Sequence, residues 1–527
     1  MREYIVQVSD PAVWDTLHDE IINRGSLSAY VPDRPVLCMN DRPFNDYLAH
    51  YELTDKEASL LQNDPRVLEV ELQADLREGV KKGFVATRPE YHYDSRTSVT
   101  TATMKNWGLL RCHNIVSNFL TTGNEYVASL NYQLDGTGVD IIVVDSGVAE
   151  GHPEFAVNAD GTGGSRVVDF DWASLGVSGC PTASSVNGYL GDVGGHGSHC
   201  AGISAGNTCG WASGAKIYSI RCDFGEGSTD ITDGSTKGFI STDIAFDLVR
   251  AFHLAKKAAG NKRPTICTNS WGYRGGVTNF NYLIWRGVTY YGTSNWQNVG
   301  MSAPFEYSQI SYLNQSADNC SAAGVILVGA AGNSGAKMDV LGGLDYDNRW
   351  YDTSGNGPYY WHRGSSPTMA SSFINVGAIH NDIYTPDGKE HKASYSNTGP
   401  RIDIWAPGTS IMSAYANTSY NTPAVYDPRG GGKYFLNKIS GTSMACPQVT
   451  GYLACILQAR PDMTTAEAKK FLLDWGYRNT LSPGYTGGTD YPDFGNYNRT
   501  YRLQGATDAI LGMPFNKAVR AEITKKP

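Results

Sequence analysis

Two kinds of apolar run organise this chain. Val139-Asp140-Ile141-Ile142-Val143-Val144 and Gly324-Val325-Ile326-Leu327-Val328-Gly329-Ala330 have the length and β-branched content of strands buried on both faces. The longer run Met444-Ala445-Cys446-Pro447-Gln448-Val449-Thr450-Gly451-Tyr452-Leu453-Ala454 reads as a buried helix whose first turn tolerates a proline. Near the N-terminus the rhythm differs. Tyr4 to Val8, Pro35 to Met39 and Pro65 to Glu71 are strand candidates, and Ala12 to Ile22 has helical spacing. Leu53 to Leu61 predicts a second helix, with Thr54 and Glu57 spaced as a capping box. The order approximates β-α-β-β-α-β with one middle strand not visible. Gln73 to Ala102 has no convincing periodicity. Pro483 to Tyr501, rich in Tyr, Gly, Asn and Pro, predicts an extended wrap or a partner-docking tail.

Four polar residues stand where these runs begin or end. Asp145 closes the first strand, at the edge where open α/β sheets place their sites. His196 lies in the glycine-rich entry Gly194-Gly195-His196-Gly197-Ser198-His199-Cys200. Asn333 follows the second strand in Ala331-Gly332-Asn333-Ser334-Gly335. Ser443 opens the buried helix in Gly441-Thr442-Ser443, beside unpaired backbone N–H groups and the positive end of the helix dipole. Each has an ordinary structural role open to it: a cap, a surface histidine, a Gly-Asn turn. Together they make one kind of chemistry. A serine hydroxyl needs a base to take its proton, histidine titrates in the right range, and a buried aspartate fixes its tautomer. An Asn amide and the nucleophile's own N–H can then hold the developing oxyanion. The order Asp, His, Ser separates this arrangement from chymotrypsin-like and α/β-hydrolase chains, and the second glycine of G-x-S-x-G is missing.

With these motifs the chain resembles the subtilisin-like (subtilase, peptidase S8) serine proteases, nearest to the proteinase K-like branch. Asn106 to Leu109, Asn269-Ser270-Trp271-Gly272, Tyr395 to Gly399 and Ala406-Pro407-Gly408 are further matches, so the likeness runs from about residue 106 to 475. The resemblance implies an α/β fold, a three-layer domain with a mostly parallel central sheet flanked by helices, preceded by a small ferredoxin-like α+β prodomain. It implies a serine endopeptidase with Asp145, His196 and Ser443 as triad and Asn333 as oxyanion donor. Ser270-Trp271-Gly272 would pair with the substrate backbone, and Ala331-Gly332 would wall the primary specificity pocket. Trp271 is larger than the family's usual leucine, which predicts reshaped subsites. Residues 1–76 resemble an inhibitor I9-like propeptide acting as an intramolecular inhibitor. Residues 77–104 would then be a linker carrying the processing site, 105–482 the peptidase domain and 483–527 a C-terminal extension.

By the same likeness Asp403, with the carbonyls of Ser371 and Phe373, is a candidate structural calcium site, although the proteolytic chemistry requires no cofactor. Cys200 matches a cysteine that some relatives carry beside the histidine; its ordinary reading is a small buried hydrophobe. Cys446 and Gln448 replace a usual threonine and histidine. Relative to the family, Gly161 to Gly194, Asn279 to Tyr312 and Gly342 to Gly364 are insertions. The last two are dense in aromatics and serve either to contact substrates or to cover exposed scaffold.

Composition narrows the partners. At 527 residues the chain exceeds one ordinary domain, and 41% hydrophobic content supplies a globular core. A net charge of −9 without a basic cluster argues against nucleic acid and leaves protein or peptide substrates. No apolar run approaches membrane-spanning length, and Met1 to Asp10 lacks the basic and apolar regions of a secretory signal. The corresponding expectation is action inside a cell, export by another route, or synthesis in a host cell by a virus. Ten cysteines do not make a disulfide scaffold, though Cys180 and Cys209 lie near one insertion and could pair. A second function class fits the same residues: a catalytically silent scaffold that keeps its N-terminal module for binding.

Overall fold

The computed structural model describes residues 1–23, 28–40, 48–73, 76, 80–84, 107–113, 134–276, 280–291, 305–307, 309–355, 357–381, 389–415, 425–427, 429–482, 503 and 505–512. Most of the proposed processing stretch and all of the segment 483–501 lie outside these residues. The N-terminal unit comprises β1 (Arg2–Val8), α1 (Trp14–Asn23), β2 (Cys38–Asn40), β3 (Leu48–Leu53), α2 (Asp55–Leu61) and β4 (Val67–Leu72). Its sheet order is β2-β3-β1-β4, with antiparallel pairing of β1 to β3 and β4. The strand not visible in the sequence is β3. The capping box is present: Thr54 accepts from Glu57 N, and the Glu57 carboxylate accepts from Thr54 N.

After this unit come β5 (Val80–Phe84) and α3 (Trp107–His113), then β6 (Asp140–Asp145), the short β7 (Gly147–Val148) and β8 (Gly191–Asp192), and α4 (His196–Ala205). The chain continues through β9 (Lys216–Arg221), α5 (Ala245–Ala258), β10 (Thr265–Asn269), β11 (Trp271–Gly276), β12 (Tyr282–Trp285), β13 (Val288–Tyr291) and β14 (Phe305–Tyr307). Next are α6 (Ser311–Ala322), β15 (Ile326–Ala330), β16 (Arg349–Tyr351), β17 (Tyr359–Tyr360) and β18 (Phe373–Ile379). The last described elements are β19 (Ile404–Pro407), β20 (Ile411–Tyr415), β21 (Val425–Tyr426), β22 (Phe435–Ile439), α7 (Thr442–Ala459) and α8 (Thr465–Trp475).

The central sheet has the order β19-β18-β15-β10-β6-β9, and every neighbouring pair in it is parallel. Helices cover both faces, which is why its strands read as unbroken apolar runs. Ile141 and Val143 pack in one core with Ala201 of α4 and Val449 and Leu453 of α7. Ile142 and Val144 face the other way, into a core with Phe246 and Val249 of α5 and Tyr312 and Leu313 of α6. The alternation carries on one residue further and turns Asp145 toward α4 and α7. Leu503 and residues 505–512 return to the outer edge of this sheet. Trp405 N donates to Ala509 O at 2.9 Å and Leu511 N to Trp405 O at 2.7 Å, so the domain draws core residues from beyond position 482.

The N-terminal unit docks on the α5–α6 face. Ile5 and Leu48 are buried in the same core as Tyr312. Ile310 precedes α6 and makes no side-chain cap; Glu71 Oε2 supplies one from the other unit, accepting from Ser311 N at 2.8 Å. A carboxylate there also meets the positive end of the helix dipole. Gln7 accepts from Ser311 Oγ at 3.0 Å, and Gln73 Nε2 donates to Asp243 at 2.8 Å.

Both aromatic insertions fold onto each other. Strands β12, β13, β16 and β17 form a satellite sheet in the order β13-β12-β16-β17, over a core of Phe280, Leu283, Trp285, Trp350 and Trp361. These rings largely bury one another. All ten cysteines are free thiols, so Cys180 and Cys209 do not pair; Cys209 sits with Met412 and Leu436, whereas Cys180 packs against the α5–α6 core. No helix among the described residues is long and apolar enough to cross a membrane.

Burial holds several histidines neutral. It pushes His199 down to about 3 and His253 and His362 down to about 4. Unfolded, each titrates near the ordinary value of about 6.5 and binds a proton that the folded form refuses. Stability is therefore expected to fall as pH drops from about 6.5 toward 4, with a slope approaching about 1.4 kcal/mol per pH unit for each histidine. Melting temperature of a Ser443→Ala chain across this range checks the prediction; a flat profile would refute it.

Candidate active site

Asp145 lies at the C-terminal end of β6 and is buried. Its Oδ1 accepts from Ser146 N at 2.7 Å, and His196 Nδ1 lies 2.9 Å from Oδ1 and 3.0 Å from Oδ2. His196 is the first residue of α4. Two glycines make this entry: Gly195 has a left-handed φ of 77°, and a Cβ on Gly197 would lie 2.0 Å from Gly147 O. The turn is tied down by Asp192, a residue the sequence reading did not single out. Asp192 Oδ1 accepts from Ser146 Oγ at 2.6 Å, Gly194 N at 3.1 Å and Gly195 N at 2.9 Å. Its Oδ2 accepts from Ser198 N at 2.9 Å and Ser198 Oγ at 2.6 Å. Burial raises this carboxyl while the donors around it pull the other way. The signal available in the sequence was an acid inside the glycine-rich run Gly191 to Gly195.

Ser443 is the second residue of α7 and fully buried. Pro447 stands sixth in this helix, past the first turn where it was expected. Lacking an N–H, it cannot bond the carbonyl four residues back, which is that of Ser443. The Ser443 carbonyl instead accepts from Ser270 Oγ at 3.0 Å and Cys200 Sγ at 3.5 Å. In return the Ser443 hydroxyl donates to Ser270 O at 3.2 Å. Cys200 Sγ is also 3.8 Å from His196 Nδ1, so one thiol touches both the serine and the histidine residues.

Asn333 completes the group. Its Oδ1 accepts from Thr442 N at 2.8 Å and Thr442 Oγ1 at 2.9 Å, which fixes the amide's orientation. The buried Nδ2 has no hydrogen-bond acceptor among the described residues. Ala331 and Gly332 are held by Asn397, whose Nδ2 donates to Ala331 O at 2.7 Å and whose N donates to Gly332 O at 2.8 Å. Asn397 Oδ1 accepts from Ser334 N and Ala336 N, so this one amide shapes the whole loop that carries Asn333.

Ser270-Trp271-Gly272 runs from the end of β10 into β11. The Trp271 ring is fully buried beside Phe224, Phe246 and Tyr273. It therefore fills the core, and the expectation that it reshapes a substrate subsite is corrected. The main chain of β11 is taken up by β5, antiparallel, with Phe84 opposite Trp271 and Gly83 opposite Gly272. Cys446 lies 3.4 Å from Thr268 Oγ1, and Gln448 accepts from Trp211 Nε1 at 2.7 Å, so both substituted positions serve packing.

Asp145, His196 and Cys200 bring potential metal-binding atoms within 4.8 Å of one another. Burial pushes the Cys200 thiol far above its ordinary range.

A model described as the subtilase family matches residues 136–490. The chain is 27% identical over 384 residues to the cuticle-degrading serine protease of Arthrobotrys oligospora, a match covering 71% of this chain and 65% of that protein. It is 27% identical over 467 residues to the alkaline proteinase of Hapsidospora chrysogena, covering 88% and 81%. In structure it is similar to fervidolysin from Fervidobacterium pennivorans, a keratinolytic enzyme related to subtilisin, with a TM-score of 0.50 at 18% identity, covering 98% of this chain and 61% of that one.

Proposed function

The chain belongs to the subtilase family, and from that premise we propose that it is a serine endopeptidase held closed by its own N-terminal unit. Ser443 is the nucleophile, His196 the base, Asp145 the carboxylate that orients it and Asn333 the oxyanion donor. The hydroxyl turns about its Cα–Cβ bond from Ser270 toward His196 Nε2, which takes its proton as Oγ attacks the peptide carbonyl. The same proton passes to the leaving amine, and water then hydrolyses the acyl-enzyme by the reverse route.

The observation that carries this reading is the Asn333 amide. A buried donor left without an acceptor costs about 1–3 kcal/mol and calls for an explanation. An oxygen that becomes charged only during reaction is such an acceptor. Asn333→Ala is expected to lower kcat by about 10²–10³-fold with KM little changed, a magnitude taken from subtilisin itself. An unchanged kcat on a peptide substrate would remove Asn333 from the mechanism.

The ladder of β5 on β11 supports the autoinhibitory part. Strand addition is how an extended peptide is held by its main chain. Strand β5 ends opposite Trp271, one residue short of Ser270, whose carbonyl accepts the Ser443 hydroxyl. The first peptide bonds beyond Phe84 are thus the ones we assign to the nucleophile. Purified wild type is expected to lose its N-terminal unit, with the new N-terminus a few residues after Phe84, while Ser443→Ala stays whole. A wild-type chain that remains full length under conditions where it cleaves peptides would favour a retained interaction module.

A further inference from the structure

The residues offered for calcium are already engaged by positive side chains. Asp403 Oδ2 accepts from Asn375 N at 2.8 Å and from Arg401 Nη1 at 3.1 Å, and it lies 3.4 Å from Lys469 Nζ. Lys469 Nζ donates to Ser371 O at 3.3 Å. Arg401 Nη2 donates to Ala370 O at 2.8 Å and to Phe373 O at 3.4 Å. The carboxylate and both carbonyls of the candidate set are therefore each in contact with a guanidinium or an ammonium. Arg401 Nη2 reaches three carbonyls of the 368–373 segment, those of Thr368, Ala370 and Phe373, and Lys469 on α8 lies between Ser371 and Asp403.

Calcium takes six to eight oxygens at about 2.3–2.6 Å. Here it would have to enter a space lined by two positive charges and strip both from their oxygens. The residues do not fit the ion. We propose that Arg401 and Lys469 stand in place of a structural calcium, binding the loop before β18 to Asp403 at the start of β19 and making this corner of the fold independent of metal. Two side-chain charges match the charge of one divalent cation, and their donors satisfy the same carboxylate and carbonyls that the ion would bridge.

The test uses the full-length Ser443→Ala chain, which cannot digest itself, melted in excess calcium and in chelator. The expected result is that any calcium response, including none, is the same in Ser443→Ala and in Ser443→Ala/Asp403→Asn. A calcium stabilisation that Asp403→Asn abolishes would overturn the proposal. In a second variant, Arg401→Gln/Lys469→Gln on the same background, the melting temperature in chelator is expected to fall by several degrees. No fall in chelator would also overturn it. Should that variant not fold, the Asp403→Asn comparison decides alone.

Discussion

Ser443→Ala is expected to abolish covalent labelling by a fluorophosphonate probe and to lower kcat on the order of 10⁶-fold, a loss known from subtilisin itself. The expectation follows from position as much as from residue type. Ser443 sits at the positive end of α7, Cys200 touches both it and His196, and Asn333 is fixed beside it through Thr442. Removing the hydroxyl removes the only atom in this group able to form the acyl bond, since the nearby thiol is held protonated by burial. The measurement is made on protein freed of residues 1–84, with wild type alongside. Equal labelling of the two, or none in either, would defeat the peptidase reading. The change is otherwise small: an alanine fills the same space in a helix start.

Asp145→Asn is expected to lower kcat by about 10⁴-fold while the fold is retained. The structure gives a reason beyond loss of charge. Ser146 N donates to Asp145 Oδ1, so an asparagine must keep its oxygen at that position. Its NH₂ then stands 3.0 Å from His196 Nδ1 while the retained oxygen stays 2.9 Å from it, so a tautomer in which Nδ1 accepts from the NH₂ competes with the one in which it donates. In the competing tautomer the imidazole proton sits on Nε2, the atom that must be bare to receive the serine proton. An about 10⁴-fold loss is about 5.5 kcal/mol of transition-state stabilisation. Kinetics on a peptide substrate, with a melting curve to show an intact fold, test this; a loss below about tenfold would mean that the tautomer of His196 is set by something else.

The catalytic candidates were legible because each stands at the end of an element whose pattern is strong. Asp145 and Asn333 follow apolar strands, and Ser443 precedes a buried helix. What escaped the sequence was set by partners distant in the chain. Strand β3 carries His50 and Tyr51 without clear alternation, because one face meets its own helices and the other meets α6, with His50 against Tyr312. Strand β5 contains two lysines and a glycine, a poor strand by propensity; it is a strand only because β11 offers its main chain. Trp271 was read as facing substrate because the motif aligns it there, yet its ring fills the core. Asp192 and Asn397 bind backbone N–H groups, and such service leaves no periodic trace. The pairing of Asp403 with Lys469 needed two segments to be brought together that no spacing connects.

The missing N–H of Pro447 has a consequence for how a peptide would be measured. Because the Ser443 carbonyl is released from its helix, the nucleophile is fastened to Ser270, the residue at which β10 passes into β11. The edge that would grip a peptide and the atom that would cut it thus share one joint. Pairing along β11 works as a ruler whose zero mark is the hydroxyl, and the bond to be broken is chosen by counting along the ladder. A slip of one residue turns every side chain of the guest to the opposite face. Sites of cleavage in a long extended chain would therefore be phased in steps of two residues where its side chains favour one face.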